Sequence, residues 1–258
     1  MKKTVEEVIL IENKQLNHDN FQLVFQSESI LAGIDPGQFV NVYISDNKNT
    51  FLRRPFSFFD VDFKKNRFSL LVKVLGEGSK TFTSTRPGQK VSIVFPLGKG
   101  FTLPAANEKI LLIGGGSGVA PMLFLLKTSG ISPANLHVIL GAKTKNDHID
   151  TSQYQSFGNL YYSTEDSSLG ETGFVTNHSL YRNDFNSFDK IYACGPAPMM
   201  KAIAHDAKKN GRFCEVSLEN TMACGFGACL CCVEKTVLGN KCVCTDGPVF
   251  NINELTWQ

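Results

Sequence analysis

A multidomain α+β fold is predicted for this chain of 258 residues. It comprises an antiparallel β domain, barrel or sandwich, over residues 1–103, an α/β parallel-sheet domain over 104–213 and a small domain over 214–258. Three observations predict it. Short β-rich runs alternate with turn signals in the first stretch. Continuous apolar runs alternate with helical periodicity in the second, the pattern of βαβ units. The third stretch is rich in cysteine and glycine and too short for a core of its own, so a cofactor is expected to staple it.

The first domain reads as "FQLVFQS" (21–27), "QFVNVYIS" (38–45), "FSFFDVDF" (56–63), "RFSLLVKVL" (67–75) and "QKVSIVFPL" (89–97), separated by "GIDPGQ", "FKKNR", "GEGS" and "TRPGQ". The texture changes after "GKGFTLPAANE". "KILLIGGG" is apolar throughout, as expected of a strand buried on both faces. A helix follows from about Pro121, then strands at "LHVILGAK", "NLYYSTE" and "KIYACG". Met200, Ile203, Ala204 and Ala207 fall at i, i+3, i+4 and i+7, one face of a helix.

Composition narrows the function classes. With 42% hydrophobic and 19% charged residues and a net charge of +2, the chain gives no reason to expect nucleic acid or an anionic membrane as a partner. Its N-terminus, "MKKTVEEVILIENKQ", lacks the apolar core of a secretory signal. "ILLIGGGSGVAPMLFLL" is broken by four glycines and a proline, unlike a spanning helix. A cytoplasmic setting is therefore expected, where clustered cysteines bind metal more readily than they form disulfides.

Six of the eight cysteines lie between Met222 and Phe250. Cys224, Cys229 and Cys232 stand in C-x4-C-x2-C spacing, and Cys244 follows after eleven residues. That is the plant-type [2Fe–2S] arrangement; zinc sites usually show two C-x2-C pairs. Gly225 and Gly227 let the loop close tightly around the cluster. "KCVCTD" reads as a strand on which Cys242 and Cys244 face opposite sides, so only one of them points at the metal, and spacing alone leaves open which. Cys231 competes with Cys229, but its neighbour Cys232 makes the x4-x2 register the better fit. Cys214 reads as a small buried residue.

Two further signals point to a flavin and a nicotinamide. In "RRPFSFFD", Arg54 suits a flavin diphosphate and Ser57 places a hydroxyl near the ring. "LLVKVLGEGSKTF" adds Lys73 and a Gly78–Ser79 turn whose N–H groups suit pyrophosphate. "LLIGGGSGVAPM" sets Gly114, Gly115, Gly116, Ser117 and Gly118 between a strand and a helix, where a dinucleotide phosphate sits. Val119 takes the last glycine position of the Rossmann fingerprint, and the acidic residue expected after strand two is missing. Lys143 and Lys145 precede Asp147, which leaves NAD or NADP undecided. "IYACGPAPMM" brings Cys194, Gly195, Pro196 and Met199 to the C-terminal edge of a parallel strand, where α/β sheets bind ligands. Nothing reads as a catalytic acid or base.

Taken in order, these motifs resemble the ferredoxin reductase family, whose flavin domain is an antiparallel β-barrel. The tail "LENTMACGFGACLCCV…CVCTDGPVF" resembles the electron transfer subunits of dihydroorotate dehydrogenase B. The resemblance spans essentially the whole chain. It implies FAD held by Arg54, Pro55, Phe56 and Ser57, by Leu71, Val72 and Lys73, and by Gly78 and Ser79. It implies NAD(H) as co-substrate. It also implies cluster ligands Cys224, Cys229, Cys232 and Cys244, the last because the family's fourth ligand precedes "x-D-G-P-V-F". It further implies a separate FMN-containing catalytic subunit, with two of each chain in a heterotetramer, acting in pyrimidine biosynthesis. Cys231, Cys242 and a shorter segment between the third and fourth ligands depart from the family pattern. The alternatives are a flavin subunit of a sulfide dehydrogenase or NADH-dependent ferredoxin:NADP oxidoreductase complex, and a zinc-stapled binding module.

Overall fold

The computed structural model describes residues 3–44, 50–149 and 152–257. β1 (Thr4–Gln15), β2 (Asn20–Gln26), β3 (Phe39–Val42), β4 (Arg54–Asp62), β5 (Arg67–Lys73) and, after helix α1 (Glu77–Thr83), β6 (Lys90–Leu97) close an antiparallel barrel in the order β1-β2-β5-β4-β3-β6. All five expected strands are found at or within their expected runs. Ser45, the end of the expected 38–45 run, lies outside the described residues. The barrel strand that sequence reading omitted is β1. Only Val8 and Leu10 of its twelve residues are buried, so its amphipathic signal is faint.

The second layer system follows. β7 (Ile110–Gly115), helix α2 (Ala120–Ser129), β8 (Leu136–Ala142), α3 (Ser152–Gln155), β9 (Asn159–Thr164), β10 (Glu171–Thr172), α4 (Ser179–Asp184), β11 (Lys190–Cys194), α5 (Ala197–Lys209) and β12 (Phe213–Ser217) build it. Its strands are parallel and ordered β10-β9-β8-β7-β11-β12. The four residues expected to form one helix face, Met200, Ile203, Ala204 and Ala207, are the buried residues of α5. Among the described residues no helix is long and apolar enough to cross a membrane.

The cysteine-rich stretch holds a hairpin, β13 (Val233–Thr236) and β14 (Gly239–Cys242), and then β15 (Val249–Asn251), which adds antiparallel to β12 as the edge strand of the large sheet. β12 straddles the expected 213/214 division, so the second and third units share a sheet.

The barrel and the sheet interlock. Phe59 of β4 packs in the core of the parallel sheet, and Phe124 of α2 packs in the barrel core. Lys127 of α2 pairs with Asp60 of β4 at 2.5 Å. In the β1–β2 turn, Asn17 Nδ2 donates to the carbonyls of Asp147 and His148 at 3.2 and 3.3 Å.

Candidate functional site

Three places matter, beginning with a parting in the barrel. β4 pairs with β5 from Phe58↔Leu70 onward, through a bulge at Phe58/Asp60. Before the bulge, Arg54–Ser57 pair with β3, and Leu71–Lys73 pair with β2. The backbones of these two motif segments therefore splay apart, which suits a flat ring and its backbone hydrogen bonds. The neighbouring arginines differ. Arg53 donates to Ser92 O at 2.8 Å and Ser92 Oγ at 2.9 Å and lies over the Tyr43 ring. Among the described residues Arg54 reaches only the loop carbonyls of Leu52 and Arg53. Pro55 and Ser57 are half-buried in β4; Phe56 packs on Phe82 with ring centroids 5.2 Å apart. Leu71 and Val72 are core side chains, so only their backbone is available to a ligand.

One expectation is corrected here. Gly78 and Ser79 lie in the first turn of α1, not in a glycine turn. Ser79 Oγ accepts from the N–H groups of Leu75 and Gly76 at 2.8 and 3.1 Å. That hydroxyl closes the helix start, and the N–H groups of the first turn have no intrahelical acceptor.

The second place is a cavity of about 720 Å³ between barrel and sheet. β7 lies between β8 and β11, the switch point at which such sheets bind ligands. The register Cys194↔Gly114 sets the "GGGSG" and "CGPAPM" segments side by side. Lys73, Gly115, Gly116, Pro196 and Met199 line the cavity, as expected of site residues. Gly114, Ser117, Gly118, Cys194 and Gly195 are not among its walls. A Cβ on Gly118 would stand 2.3 Å from Cys194 O, so that glycine lets the loop pack on β11. Cys194 is fully buried in the sheet core. Burial, then the nearby Glu219 carboxylate, pushes its thiol well above the ordinary range.

Lys143 and Asp147 of the "GAKTKND" segment also line this cavity, together with an acid that sequence reading missed, Glu165. Glu165 follows β9, not the second strand where such an acid is usually sought. Asp147 is fixed by Thr144 N and Oγ1 at 3.0 and 2.9 Å. Lys73 is paired with Asp19, the residue before its β2 partner Asn20, at 3.3 Å.

The third place is the cysteine loop. The N–H groups of Phe226 and Cys229 both point at Cys224 Sγ at 3.5 Å, and Cys244 N points at Cys232 Sγ at 3.4 Å. Burial opposes ionisation of Cys224, but these N–H groups and the Cys229 thiol outweigh it and bring the Cys224 thiol down to about 6. Burial, then the Cys232 thiol, raises Cys244 to about 12. Among the described residues no three His, Cys, Asp or Glu side chains form a single-ion site. Cys224 interacts with Cys229, and Cys232 with both Cys244 and Cys242.

Another expectation is corrected at the fourth ligand. Cys242 ends β14, but Cys244 lies in the turn that follows, where Thr245 N and Asp246 N both donate to Cys242 O at 3.0 and 2.8 Å. Strand alternation therefore does not separate the two; Cys244 is fully buried and Cys242 is not. The Cys242 thiol also reaches Cys232. Cys231 is exposed and Cys214 buried.

Comparison with known proteins covers the whole chain. Residues 219–256 match the iron–sulfur cluster binding domain of dihydroorotate dehydrogenase B, residues 112–205 an oxidoreductase NAD-binding domain and residues 7–101 an oxidoreductase FAD-binding domain. These matches fit FAD, NAD(H) and a [2Fe–2S] cluster as the cofactors. A dihydroorotate dehydrogenase B (NAD(+)) electron transfer subunit of Fusobacterium nucleatum is 35% identical, over 95% of this chain and 96% of that one. The protein of the same description from Shouchella clausii is 33% identical, over 99% of each. Among solved structures, an NADH-dependent reduced ferredoxin-NADP oxidoreductase superposes with a TM-score of 0.84 at 28% identity, covering 97% of this chain and 90% of that one. A ferredoxin reductase in carbazole 1,9a-dioxygenase shares the fold, with a TM-score of 0.67 at 19% identity over 82% of this chain and 67% of that one.

Proposed function

The chain belongs to the family of dihydroorotate dehydrogenase B (NAD+) electron transfer subunits, and from that premise we propose how its own residues divide the work. It is an oxidoreductase subunit that works with a catalytic partner subunit. In our reading the partner carries FMN, two of each chain assemble as a heterotetramer in the cytoplasm, and the product serves pyrimidine (UMP) biosynthesis. Electrons from the partner's FMN reach NAD+ through this chain. When bound, the cluster exchanges single electrons, FAD exchanges one or two, and NAD takes hydride.

Cys224, Cys229, Cys232 and Cys244 hold the cluster. Arg54 neutralises the flavin diphosphate, and Ser57 and the backbone of Leu71–Lys73 flank the ring in the parting between β4 and β5. Gly115, Gly116, Pro196 and Met199 shape the nicotinamide cavity, with Cys194 beneath its floor. The relatives' name gives NAD(+) as the nicotinamide, and Asp147 and Glu165, with Lys143 beside them in the cavity wall, can accept bonds from a ribose diol. Near the cysteine loop, Phe226 and Leu230 are exposed, and Val237 and Leu238 stand exposed at the tip of the β13–β14 hairpin. An apolar rim of that kind suits a docked partner. We divide the chain at 103/104 and 213/214 for these three roles.

The observation that carries this reading is the cysteine loop itself, which brings N–H groups onto Cys224 Sγ and Cys232 Sγ in a segment packed on the barrel. The whole-chain identity to the named subunits favours it over the ferredoxin:NADP reading, which rests on shared structure. The experiment is iron, sulfide and flavin analysis of anaerobically purified chain, followed by assay. Two irons, two sulfides and one FAD are expected, with NADH oxidation by an artificial acceptor and no dihydroorotate turnover until the catalytic subunit is added. Stoichiometric zinc, or dihydroorotate oxidation by the chain alone, would overturn it.

A further inference from the structure

β3 runs Phe39–Val42 and is buried at every position. Val40 and Val42 point into the barrel core, whereas Phe39 packs outward in the cluster of side chains that holds Leu97, Met222, Cys232 and Cys244. Asn41 shares the outward face with Phe39. It is the single polar residue of that strand, and it too is fully buried. The β3–β6 ladder shifts register between Phe39↔Leu97 and Asn41↔Val94, an irregularity of the kind that re-aims a side chain.

The amide meets the cysteine loop. Asn41 Nδ2 donates to the carbonyl oxygen of Cys224 at 3.2 Å. Cys224 is followed by Gly225, at φ +80, whose added Cβ would stand 2.7 Å from Asn41 Nδ2. The loop thus lies directly on the amide, and the missing side chain at 225 is what permits it. Behind Asn41, the neighbouring strand places Pro55 opposite it and Ser57 opposite Phe39. The loop and the Arg54–Ser57 segment therefore meet on two sides of one strand.

Packing alone does not call for an amide here. Asn41 Oδ1 is buried with no partner among the described residues, and an unmatched buried acceptor is costly. An aliphatic side chain of similar volume would fill the same space without that cost.

We propose that Asn41 is a positioning residue that registers the cluster loop against the flavin strand, fixing the Cys224 backbone through its carbonyl. This rests on the cofactor assignments proposed above. Nothing in the sequence marks it, because its partner lies 183 residues away.

The test uses the full chain, purified anaerobically with its cofactors, and compares Asn41→Leu, Asn41→Asp and Gly225→Ala with the unaltered protein. Leucine removes the donor at similar size, and aspartate keeps the shape but presents acceptors to the Cys224 carbonyl. All three should retain full flavin content. Each should release iron to a chelator several-fold faster, with shifted electron paramagnetic resonance g values and a shifted cluster midpoint potential. Asn41→Leu combined with Gly225→Ala should lose less than the sum of the two single effects, as contacting residues do. Should Asn41→Leu fail to fold, Asn41→Asp and Gly225→Ala decide the matter. Variants with unchanged iron release, g values and potential would overturn the inference while leaving the cofactor assignments intact. Unaltered chain without iron would instead overturn the assignments themselves.

Discussion

Cys242 and Cys244 stand two residues apart and meet different surroundings. Asp246 Oδ2 accepts from Cys242 N at 3.0 Å, which keeps Cys242 at the end of the hairpin. The turn then carries Cys244 inward, where its N–H meets Cys232 Sγ. Cys244→Ser should therefore lose the cluster, and Cys231→Ser and Cys242→Ser should keep it, as read by iron content and visible absorbance. Cluster loss in Cys242→Ser with retention in Cys244→Ser would reverse the assignment. The ligand spacing was legible because three of the four thiols come from one loop. The choice of the fourth was not, because it depends on a turn closed by backbone hydrogen bonds, and a strand was the wrong template for it.

At the scale of elements, most strands announced themselves by apolar alternation or by continuous apolar runs. β1 and β12 did not, for different reasons. β1 keeps most of its side chains in contact with water. β12 carries Glu215 in a buried position, a residue that argues against a core strand until its partners are known. Those partners come from the segment joining barrel and sheet: Thr102 N and Thr102 Oγ1 donate to the Glu215 carboxylate at 2.9 and 2.6 Å. Burial, only partly offset by the Thr102 bonds, raises the Glu215 pKa. The folded chain therefore holds this proton more tightly than the unfolded one. The associated stability is complete below the ordinary glutamate range and is lost as pH rises through the raised value. Thermal melting should show that decline in the unaltered chain. Glu215→Gln, which keeps the shape, should flatten it and melt higher at neutral pH. An identical pH profile in the variant would refute this account of β12.

The molecule as a whole is held by exchanges between its parts rather than by separate cores joined by linkers. Phe59 and Phe124 each sit in the neighbouring unit's interior, and β15 brings the chain back from the cysteine loop to finish the edge of the parallel sheet. The order of the three units was legible from composition, but this weaving was not, since each exchange joins residues far apart in sequence. Its consequence concerns motion. A redox centre on a tethered head must swing between donor and acceptor, and its turnover then slows as the solvent thickens. Here the loop is riveted on one side to the barrel through Asn41 and on the other to the sheet through β15. Electron exchange between flavin and cluster within one chain should therefore proceed at the same rate in buffer and in concentrated glycerol. A stopped-flow rate that falls in proportion to viscosity would show that the loop works as a pendulum after all.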